Sequence, residues 1–311
     1  MTAFVALPLY RGGPTVGRLG LGTVALGLAY GVGPEAVLPP EADALATLHA
    51  ARQGGVDFFD TAPAYGDAER RTGLALGEDS GAVIATKILL PKDISALELP
   101  AFVETSVSTS LSRLKRAKID ILKIHNASSA DMQNPVLLAA LRAEVDAGRV
   151  AALGASVYGP EDAAAVIATP GFKSVQIAFS VLDQRCRAVF AQAEAAGVGL
   201  VVRSALLKGA LTSRARFLPP ALAPLAEAAD RVRMLANCSW EELPTLALRY
   251  VLSIGAPISV VLTGAQSQAE LSDALAALAL GPLPAELMER LDGCGLTDDA
   301  LLNPARWPAL T

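Results

Sequence analysis

The chain has few cysteines, and they follow no pattern. Cys186, Cys238 and Cys294 are the three cysteines in 311 residues, and they lie far apart without the spacing of metal ligands. An odd, unpatterned set of thiols is typical of proteins kept in a reducing compartment. We therefore expect a cytoplasmic protein with no metal site.

Long hydrophobic runs and an excess of positive charge are also absent. No stretch of about 18 uninterrupted apolar residues occurs. The first residues, MTAFVALPLYRGGP, lack the charged start and the cleavage site of a signal peptide. The net charge of −5 and the pI of about 5.2 argue against a nucleic-acid binder, whose domain should be basic. We expect neither a membrane nor a nucleic-acid partner.

The sequence does have ample hydrophobic material and a repeated pattern. Hydrophobic residues make up 52% of the chain and charged residues 18%, which argues against disorder and permits a large core. Short β-rich runs alternate with longer helical segments rich in Ala and Leu. The β-rich runs cover 18–23, 56–62, 82–87, 119–125, 150–157, 174–180, 199–206 and 259–264. The helical segments cover 41–52, a stretch from 67, 100–116, 136–147, 161–168, 187–196, 240–253 and a stretch from 268.

These β/α repeats predict a closed, parallel (β/α)8 barrel that takes up residues 1–311 as a single domain. The competing architecture is a doubly wound sheet, but it should carry a glycine-rich fingerprint after its first strand, and GLGTVALG fits that poorly. Segment 207–237 is too long for an ordinary loop, so we expect a lid with a short helix after the seventh strand. We expect the C-terminal tail, 296–311, to lie across the barrel as ordered coil.

Polar residues end several of the predicted strands, and catalytic groups of such barrels sit at this end. In chain order the strand-end residues are Thr23, Asp60, Lys87, His125, Ser156, Gln176, Ser204 and Gly264. Strands two to four supply Asp60, Lys87 and His125, and neighbouring strands are about 4.8 Å apart. The sequence therefore predicts one pocket for these side chains, with Tyr65 on the loop above.

These four residue types suit proton transfer. A lysine ammonium near a phenol lowers the pKa of the phenol, and pairing with Asp60 would hold the Lys87 ammonium in place. A phenol tuned in this way exchanges a proton near neutral pH, while a neutral His125 can hydrogen-bond the same substrate oxygen. Since no side chain supplies hydride, such a site needs a nicotinamide cofactor.

The chain resembles an aldo-keto reductase over nearly its whole length. The resemblance rests on LGLGT, DTAPAYGDAE, IATK, ILKIHN, LGASVYG, VQIAFSVLDQR, VVRSALLKGAL and VVLTGAQSQAEL. It implies that the catalytic tetrad is Asp60, Tyr65, Lys87 and His125. It also implies that Tyr65 donates the proton, that NADP(H) or NAD(H) carries the hydride, and that the substrate is a small aldehyde, ketone or sugar. SVYGPED, LDQR and RSALLKG resemble a bacterial sub-branch that acts on sugars or unassigned small carbonyls.

The same resemblance implies cofactor contacts at the barrel mouth. Ser156 and Gln176 resemble residues that hold the nicotinamide amide, segment 203–206 would lie along the nicotinamide and pyrophosphate, and loop 264–273 would take the adenosine end. The predicted contacts are Gly22, Thr23, Asp60, Ser156, Gln176, Arg203, Ser204, Leu206, Gly264, Gln266, Glu270 and Asp273.

Three features depart from the usual pattern of the family. Val157 stands where many relatives have asparagine, and Arg203 stands where many have a tyrosine that stacks on the nicotinamide, although an arginine plane can also stack. Loop 264–273 contains no Lys or Arg, and the charge of Glu270 would repel a 2′-phosphate. We predict weaker discrimination in favour of NADPH than is usual, extending to a preference for NADH.

Other interpretations of the same residues stay open. Lys87 could be the Schiff-base nucleophile of a lyase or aldolase, although Asp60 should keep it protonated. The chain could also bind a cofactor with little turnover. Asp183 and Arg185 either line the pocket or form a structural pair. The oligomeric state is not decided by the sequence, and a homo-oligomer is compatible with it.

Overall fold

Parallel strands close into a barrel in the computed structural model, which describes residues 4–34 and 36–308. The strands are β1 (Leu19–Gly22), β2 (Phe58–Asp60), β3 (Val83–Ile88), β4 (Ile119–Ile124), β5 (Val150–Ser156), β6 (Phe172–Ala178), β7 (Gly199–Arg203) and β8 (Ile258–Gly264). Each strand pairs with the next in the chain, and β8 pairs with β1. The predicted (β/α)8 barrel is confirmed, and the doubly wound sheet is wrong because that sheet would leave two open edges.

The barrel strands alternate with helices that pack on the outside. They are α1 (Glu41–Gln53), α2 (Ala68–Leu76), α3 (Leu99–Leu114), α4 (Pro135–Asp146), α5 (Pro160–Ala168), α6 (Phe190–Ala196), α7 (Leu243–Ser253) and α8 (Gln268–Ala279). Local sequence explains the start of α4. Asn134 caps α4 by accepting hydrogen bonds from the amides of Val136 and Leu137, and proline stands in the first turn, where its missing N–H costs nothing.

The barrel interior is apolar at the lower end, where the strands begin, and charged at the upper end, where they finish. The apolar part is built from Leu9, Val16, Phe58, Ala85, Ile121, Ala152, Val201, Val260 and Leu262. Because side chains alternate along a strand, the residue two places after Ala85 or Ile121 also points inward. Those residues are Lys87 and Lys123, and both are fully buried.

A hairpin that the sequence did not predict closes the lower end of the barrel. Its strands, Leu7–Pro8 and Thr15–Val16, are two residues each and pair antiparallel. The carbonyl oxygen of Leu9 accepts a hydrogen bond from Ser259 Oγ at 3.0 Å. A Cβ atom on Gly199 would lie 1.5 Å from that same oxygen, so the hairpin fits only because this strand begins with glycine.

The lid after β7 is more helical than predicted. Three 3-10 turns, Leu207–Gly209, Ser213–Phe217 and Pro220–Leu222, lead into a lid helix, Ala223–Ala236. This helix has 14 residues rather than the short helix predicted. It forms because residues at helical spacing, Leu225, Ala228, Ala229 and Val232, are buried on one face.

The C-terminal tail is only partly the ordered coil that was predicted. It contains a helical turn, Asp299–Leu302, and a 3-10 turn, Pro304–Arg306, and residues 309–311 lie outside the described part of the chain. Trp307 is buried and donates from its indole nitrogen to the carbonyl of Leu301 at 3.0 Å. Within residues 4–34 and 36–308, no helix combines the length and the hydropathy that crossing a membrane requires.

Candidate active site

Asp60 and Lys87 form a buried ion pair at the upper end of the barrel. Asp60 is the last residue of β2 and is 3% exposed, whereas Lys87 on β3 is fully buried. Lys87 Nζ donates to Asp60 Oδ2 at 2.6 Å and to the carbonyl oxygen of Thr61 at 2.8 Å. The strand order therefore brings Asp60 and Lys87 together, as expected.

A second lysine, which the sequence analysis missed, contacts the same carboxylate. Lys123 Nζ donates to Asp60 Oδ1 at 2.7 Å, and Lys123 is 0% exposed. Lys123 pairs directly with Lys87 in the register of β3 and β4, and it precedes His125 by two residues, so it shares their inward direction. The available signal was a lysine at the fully buried fifth position of the strand IDILKI, whose one other charged residue is Asp120.

Tyr65 and His125 face each other beside this ion pair. Their ring centroids are 5.7 Å apart and the ring planes are nearly perpendicular, at 87°. Lys87 Nζ lies 4.7 Å from the centroid of the Tyr65 ring. Thus the structure brings the four predicted catalytic side chains into one cluster.

Close backbone packing holds the loop that carries Tyr65. A Cβ on Gly27 would lie 2.0 Å from the carbonyl oxygen of Tyr65, and a Cβ on Gly66 would lie 2.4 Å from that of Gly27. Gly66 also has a φ of +56°, in the left-handed region that favours glycine. Both glycines are therefore needed for the loop to rest on the segment after β1.

Burial and charge act in opposite directions on the buried ions. Burial by itself raises the pKa of Asp60, but the charges of Lys123 and Lys87 outweigh it and hold that pKa well below its usual range. Burial lowers the pKa of Lys87, and Asp60 partly offsets the shift. For Lys123, burial lowers the pKa to about 8. Asp60 is consequently ionised at neutral pH.

The two groups that would meet a substrate are both held neutral. Burial raises the pKa of Tyr65, and the negative charge of Asp60 adds to the rise. Burial also lowers the pKa of His125 to about 4, with the charge of Lys87 acting in the same direction. The expectation that Lys87 lowers the pKa of Tyr65 is therefore wrong. The positive charge of Lys87 is compensated by the negative charge of Asp60, and burial removes the Tyr65 phenol from water.

A cavity of about 630 Å³ opens over this cluster. Nearly all of the predicted cofactor contacts line it, namely Gly22, Asp60, Ser156, Gln176, Arg203, Ser204, Leu206, Gly264, Gln266, Glu270 and Asp273. Thr23 does not line it: this residue is fully buried and its hydroxyl donates to the carbonyl of Asp60 at 3.1 Å. Lining residues that the sequence analysis missed include Tyr30, Asn126, Tyr158, Lys208 and Trp240.

Gln176 is the clearest unsatisfied polar group of the cavity. It is fully buried on β6, yet neither its amide oxygen nor its amide nitrogen has a hydrogen-bond partner among the described residues. Its strand neighbour in the register is Ser156, which also lines the cavity. An unpaired buried amide costs free energy, so this site suits a ligand with its own donor and acceptor, such as a carboxamide.

Arg203 is held in a fixed orientation at the end of β7. Its guanidinium donates to the carbonyl of Val157 at 3.0 Å and to Ser204 Oγ at 3.2 Å. The guanidinium carbon lies 4.5 Å from the centroid of the Tyr158 ring. The Arg203 guanidinium thus lies over the face of the Tyr158 ring.

The lid reaches the loop that was expected to bind adenosine. Arg214 of the lid donates to Glu270 Oε1 at 2.7 Å. The backbone N–H of Gln266 donates to Glu270 Oε2 at 2.9 Å. Gln266 Nε2 donates to the carbonyl of Tyr30 at 2.7 Å. The lid therefore supplies a basic residue that the loop itself lacks, and it offsets the charge of Glu270.

Asp183 and Arg185 form a structural pair rather than part of the cavity wall. Asp183 is 1% exposed, and the Arg185 guanidinium donates to both of its carboxylate oxygens, at 2.8 and 2.9 Å. Arg185 also donates to Asp299 Oδ1 at 2.7 Å. The pair therefore fastens the C-terminal tail to the loop after β6.

Comparison with known proteins identifies the class of protein that this barrel and site define. The model of the aldo/keto reductase family matches residues 18–295, so the chain belongs to this family. Its members act on carbonyl compounds, and the chain is a carbonyl oxidoreductase.

Individual relatives are similar over most of the chain. An L-galactose dehydrogenase from Arabidopsis thaliana is 28% identical over 299 residues, which covers 89% of each chain. A 6-dehydroglucose reductase from Novosphingobium aromaticivorans is 32% identical over 224 residues, covering 64% of this chain and 72% of the relative. Among solved structures, the holo form of aldo-keto reductase AKR11C1 from Bacillus halodurans has a TM-score of 0.78 at 22% identity, covering 97% of this chain and 99% of that one. The last likeness concerns the fold alone.

Proposed function

We propose that the protein is an NAD(P)(H)-dependent oxidoreductase that interconverts a small carbonyl compound and its alcohol, with Tyr65 as general acid and base. The observation that carries this proposal is the cluster of Tyr65 and His125 over the Asp60–Lys87 ion pair at the cavity wall. Neutral proton donors beside a buried, fixed charge are what carbonyl reduction requires of a protein.

The residues present fit a nicotinamide cofactor. When bound, the cofactor supplies the hydride that reaches the carbonyl carbon. The unpaired amide of Gln176, with Ser156 beside it, would hold the nicotinamide carboxamide. The Arg203 guanidinium, held beside Tyr158 at the cavity wall, would lie against the nicotinamide ring.

Tyr65 would move the proton. Because its pKa is raised, the phenol is protonated at neutral pH and can donate to the oxygen of a carbonyl as negative charge develops there. His125 stays neutral because its pKa is about 4, so it would hydrogen-bond the same oxygen and orient it without carrying charge. Asp60 would keep the Lys87 ammonium in place below the phenol.

The lining of the cavity favours a polyhydroxylated substrate. Tyr30, Tyr158 and Trp240 offer aromatic faces, and Asn126 and Lys208 offer hydrogen-bonding groups. Aromatic faces combined with polar groups suit the apolar faces and hydroxyl groups of a sugar or polyol. The printed names of relatives point the same way, since two of them act on L-galactose and 6-dehydroglucose. A further structural neighbour, 25% identical with a TM-score of 0.71, is the glycerol dehydrogenase AKR11B4 from Gluconobacter oxydans.

The geometry disfavours the alternative in which Lys87 forms a Schiff base. Lys87 Nζ is fully buried and hydrogen-bonded to Asp60 and to the Thr61 carbonyl. A nucleophilic amine has to be neutral and accessible to the substrate. A second alternative is a cofactor-binding protein with little turnover. The kinetic test below distinguishes it from an enzyme.

The test is a steady-state assay of reduced-nicotinamide absorbance across aldehydes, ketones, aldoses and polyols, with each cofactor. Tyr65→Phe should lower kcat by about 10²-fold or more while leaving cofactor affinity unchanged. Tyr10→Phe, in the hairpin at the opposite end of the barrel, is the matched control and should keep wild-type rates. Full activity of Tyr65→Phe, or no turnover by the wild type on the whole panel, would refute the proposal.

Cofactor choice is tested by titrating NADH and NADPH against the protein fluorescence. We expect the two dissociation constants to lie within about tenfold, because Glu270 disfavours a 2′-phosphate while Arg214 of the lid favours it. NADPH binding about 100-fold tighter than NADH would show that Arg214 dominates.

A further inference from the structure

A buried carboxylate outside the barrel wall has no part in the proton transfer described above. Glu69 is 0% exposed and lies in the first turn of α2, four residues after Tyr65. It ends the stretch DTAPAYGDAE, in which Asp60 and Tyr65 already have roles. Burying a carboxylate costs free energy unless polar groups of the protein replace its hydration. The partners of Glu69 therefore indicate what it does in the folded chain.

Glu69 connects α2 with the barrel and with α3. Thr86 Oγ1 on β3 donates to Glu69 Oε1 at 2.6 Å, and Thr86 is also 0% exposed. Arg113 on α3 donates to Glu69 Oε2 at 3.3 Å, but its side chain is 44% exposed. A short, buried bond to a carboxylate is strong, whereas a half-exposed ion pair is screened by water. The bond to Thr86 is thus the stronger of the two connections.

Thr86 is the residue before Lys87, and its side chain faces the opposite way. Because side chains alternate along a strand, Lys87 points into the barrel and Thr86 points out towards the helices. The strand between them is fixed, since β3 pairs with β2 on one side and β4 on the other. Burial lowers the pKa of Lys87, and the charge of Glu69 opposes this shift together with that of Asp60. Glu69 is therefore attached to a rigid strand at the level of Lys87.

The first turn of α2 is also joined directly to Tyr65. The backbone N–H of Ala68, the residue before Glu69, donates to the carbonyl oxygen of Tyr65 at 3.1 Å. Close glycine packing holds the Tyr65 loop on the side of β1. Glu69 holds the end of the same loop on the side of β3. A shift of this turn would consequently move the Tyr65 ring, which lies 4.7 Å from Lys87 Nζ.

We propose that Glu69 is a positioning residue for Tyr65: its bond to Thr86 fixes the first turn of α2, and with it the distance between the Tyr65 phenol and Lys87. This inference rests on the proposed function, in which Tyr65 transfers the proton. Displacing a reacting group by about 1 Å can lower a rate by about 10²-fold, so a bond behind that group affects kcat. The proposed cofactor contacts lie on other strands, so cofactor affinity should not change.

The first test compares two substitutions of Thr86. Thr86→Val keeps the shape of the side chain and removes the donor, whereas Thr86→Ser keeps the donor and removes a methyl group. Thr86→Val should lower kcat about tenfold or more, with KM and the cofactor dissociation constant within about twofold of the wild type. Thr86→Ser should retain most of kcat. Thr105→Val, at an exposed position of α3, is the matched control and should keep the wild-type kcat.

Each kcat is expressed per mole of cofactor-binding sites, so that a smaller yield of folded protein does not count as a slower enzyme. An unchanged kcat in Thr86→Val overturns the inference. An equal loss in Thr86→Ser also overturns it, because packing of the methyl group would then be responsible. A loss that falls on KM or on cofactor affinity instead of kcat has the same consequence.

Glu69→Gln separates the hydrogen bond from the charge. Glutamine keeps a side-chain oxygen that can accept from Thr86, but it carries no charge. This variant should therefore retain most of kcat, as Thr86→Ser does. A loss as large as that of Thr86→Val would show that the charge acts rather than the bond, and it would overturn the inference.

The last test needs no turnover. In a crystal structure of Thr86→Val, the distance from Lys87 Nζ to the centroid of the Tyr65 ring should differ from 4.7 Å by about 0.5 Å or more, whereas Thr86→Ser should keep it. A Tyr65 ring that stays in place in Thr86→Val overturns the inference. A wild type without turnover on any substrate overturns the proposed function and the catalytic role of the bond together. An active wild type with an unmoved ring in Thr86→Val overturns the inference alone.

Discussion

Replacing Asp60 with asparagine should strongly destabilise the fold, because the carboxylate is the ionic partner of two buried lysines. Lys87 and Lys123 are both 0% exposed, and each donates to its own oxygen of Asp60. Asparagine has nearly the same shape, so no cavity forms and the loss is electrostatic. Lys87 would keep its bond to the Thr61 carbonyl, whereas Lys123 would lose its only ion pair among the described residues.

Removing one partner of a buried ion pair costs about 3–5 kcal/mol, and Asp60 serves two lysines. We therefore expect the free energy of unfolding at pH 7 to fall by about 5 kcal/mol, which corresponds to a fall in Tm of about 10 °C for a chain of this size. Asp93→Asn, at an exposed position before α3, is the matched control and should change stability by less than about 0.5 kcal/mol.

The destabilisation should depend on pH with a definite sign. Lys123 has a folded pKa of about 8, below the 10.5 of an exposed lysine, so the unfolded chain binds more protons and stability rises with pH across this window. Without Asp60 the folded pKa falls further, so the cost of the substitution is largest below pH 8 and shrinks towards pH 10. Urea unfolding followed by circular dichroism at pH 7 and pH 9.5 measures both values. The reasoning is refuted if Asp60→Asn is as stable as Asp93→Asn, or if its deficit is the same at both pH values.

Three further outcomes follow from the site. Gly27→Ala should lower kcat at least tenfold, because the new Cβ would lie 2.0 Å from the Tyr65 carbonyl, whereas Gly159→Ala, with open space around it, should be neutral in the same assay. The kcat/KM for reduction should show no loss from protonation of His125 until the pH approaches 4, and a fall centred near pH 6.5 would contradict this. Glu270→Gln should tighten NADPH binding relative to NADH by about tenfold in a fluorescence titration, because it removes the negative charge that opposes a 2′-phosphate, and an unchanged ratio would argue against that.

The barrel could be predicted because its strands are buried on both faces. Runs such as VIATKI and GLVVR are almost continuously apolar, and this pattern is typical of parallel strands under helices. The N-terminal hairpin could not be predicted in the same way, because strands of two residues carry too little pattern. Its place depends on Gly199, which is distant in the chain and lets the Leu9 carbonyl approach the barrel.

The lid and the adenosine loop show a similar limit. Arg214 and Glu270 are 56 residues apart, and nothing in either local sequence specifies that they meet. The sequence of the loop alone predicted that Glu270 would repel a 2′-phosphate. In the folded chain, Arg214 of the lid places a positive charge beside Glu270. The charge balance beside this loop is thus a property of the tertiary contact.

By itself, the sequence determined the barrel and the order of the polar residues at its strand ends. These are local properties: hydrophobic runs set the strands, and a parallel barrel gathers the ends of its strands at one mouth. Only the tertiary structure decided which charges meet inside. Lys123 is one lysine in a largely apolar strand until closure of the barrel brings it to Asp60. Burial then shifts the pKa values of Tyr65 and His125, because desolvation depends on everything packed around a group rather than on its neighbours in the chain.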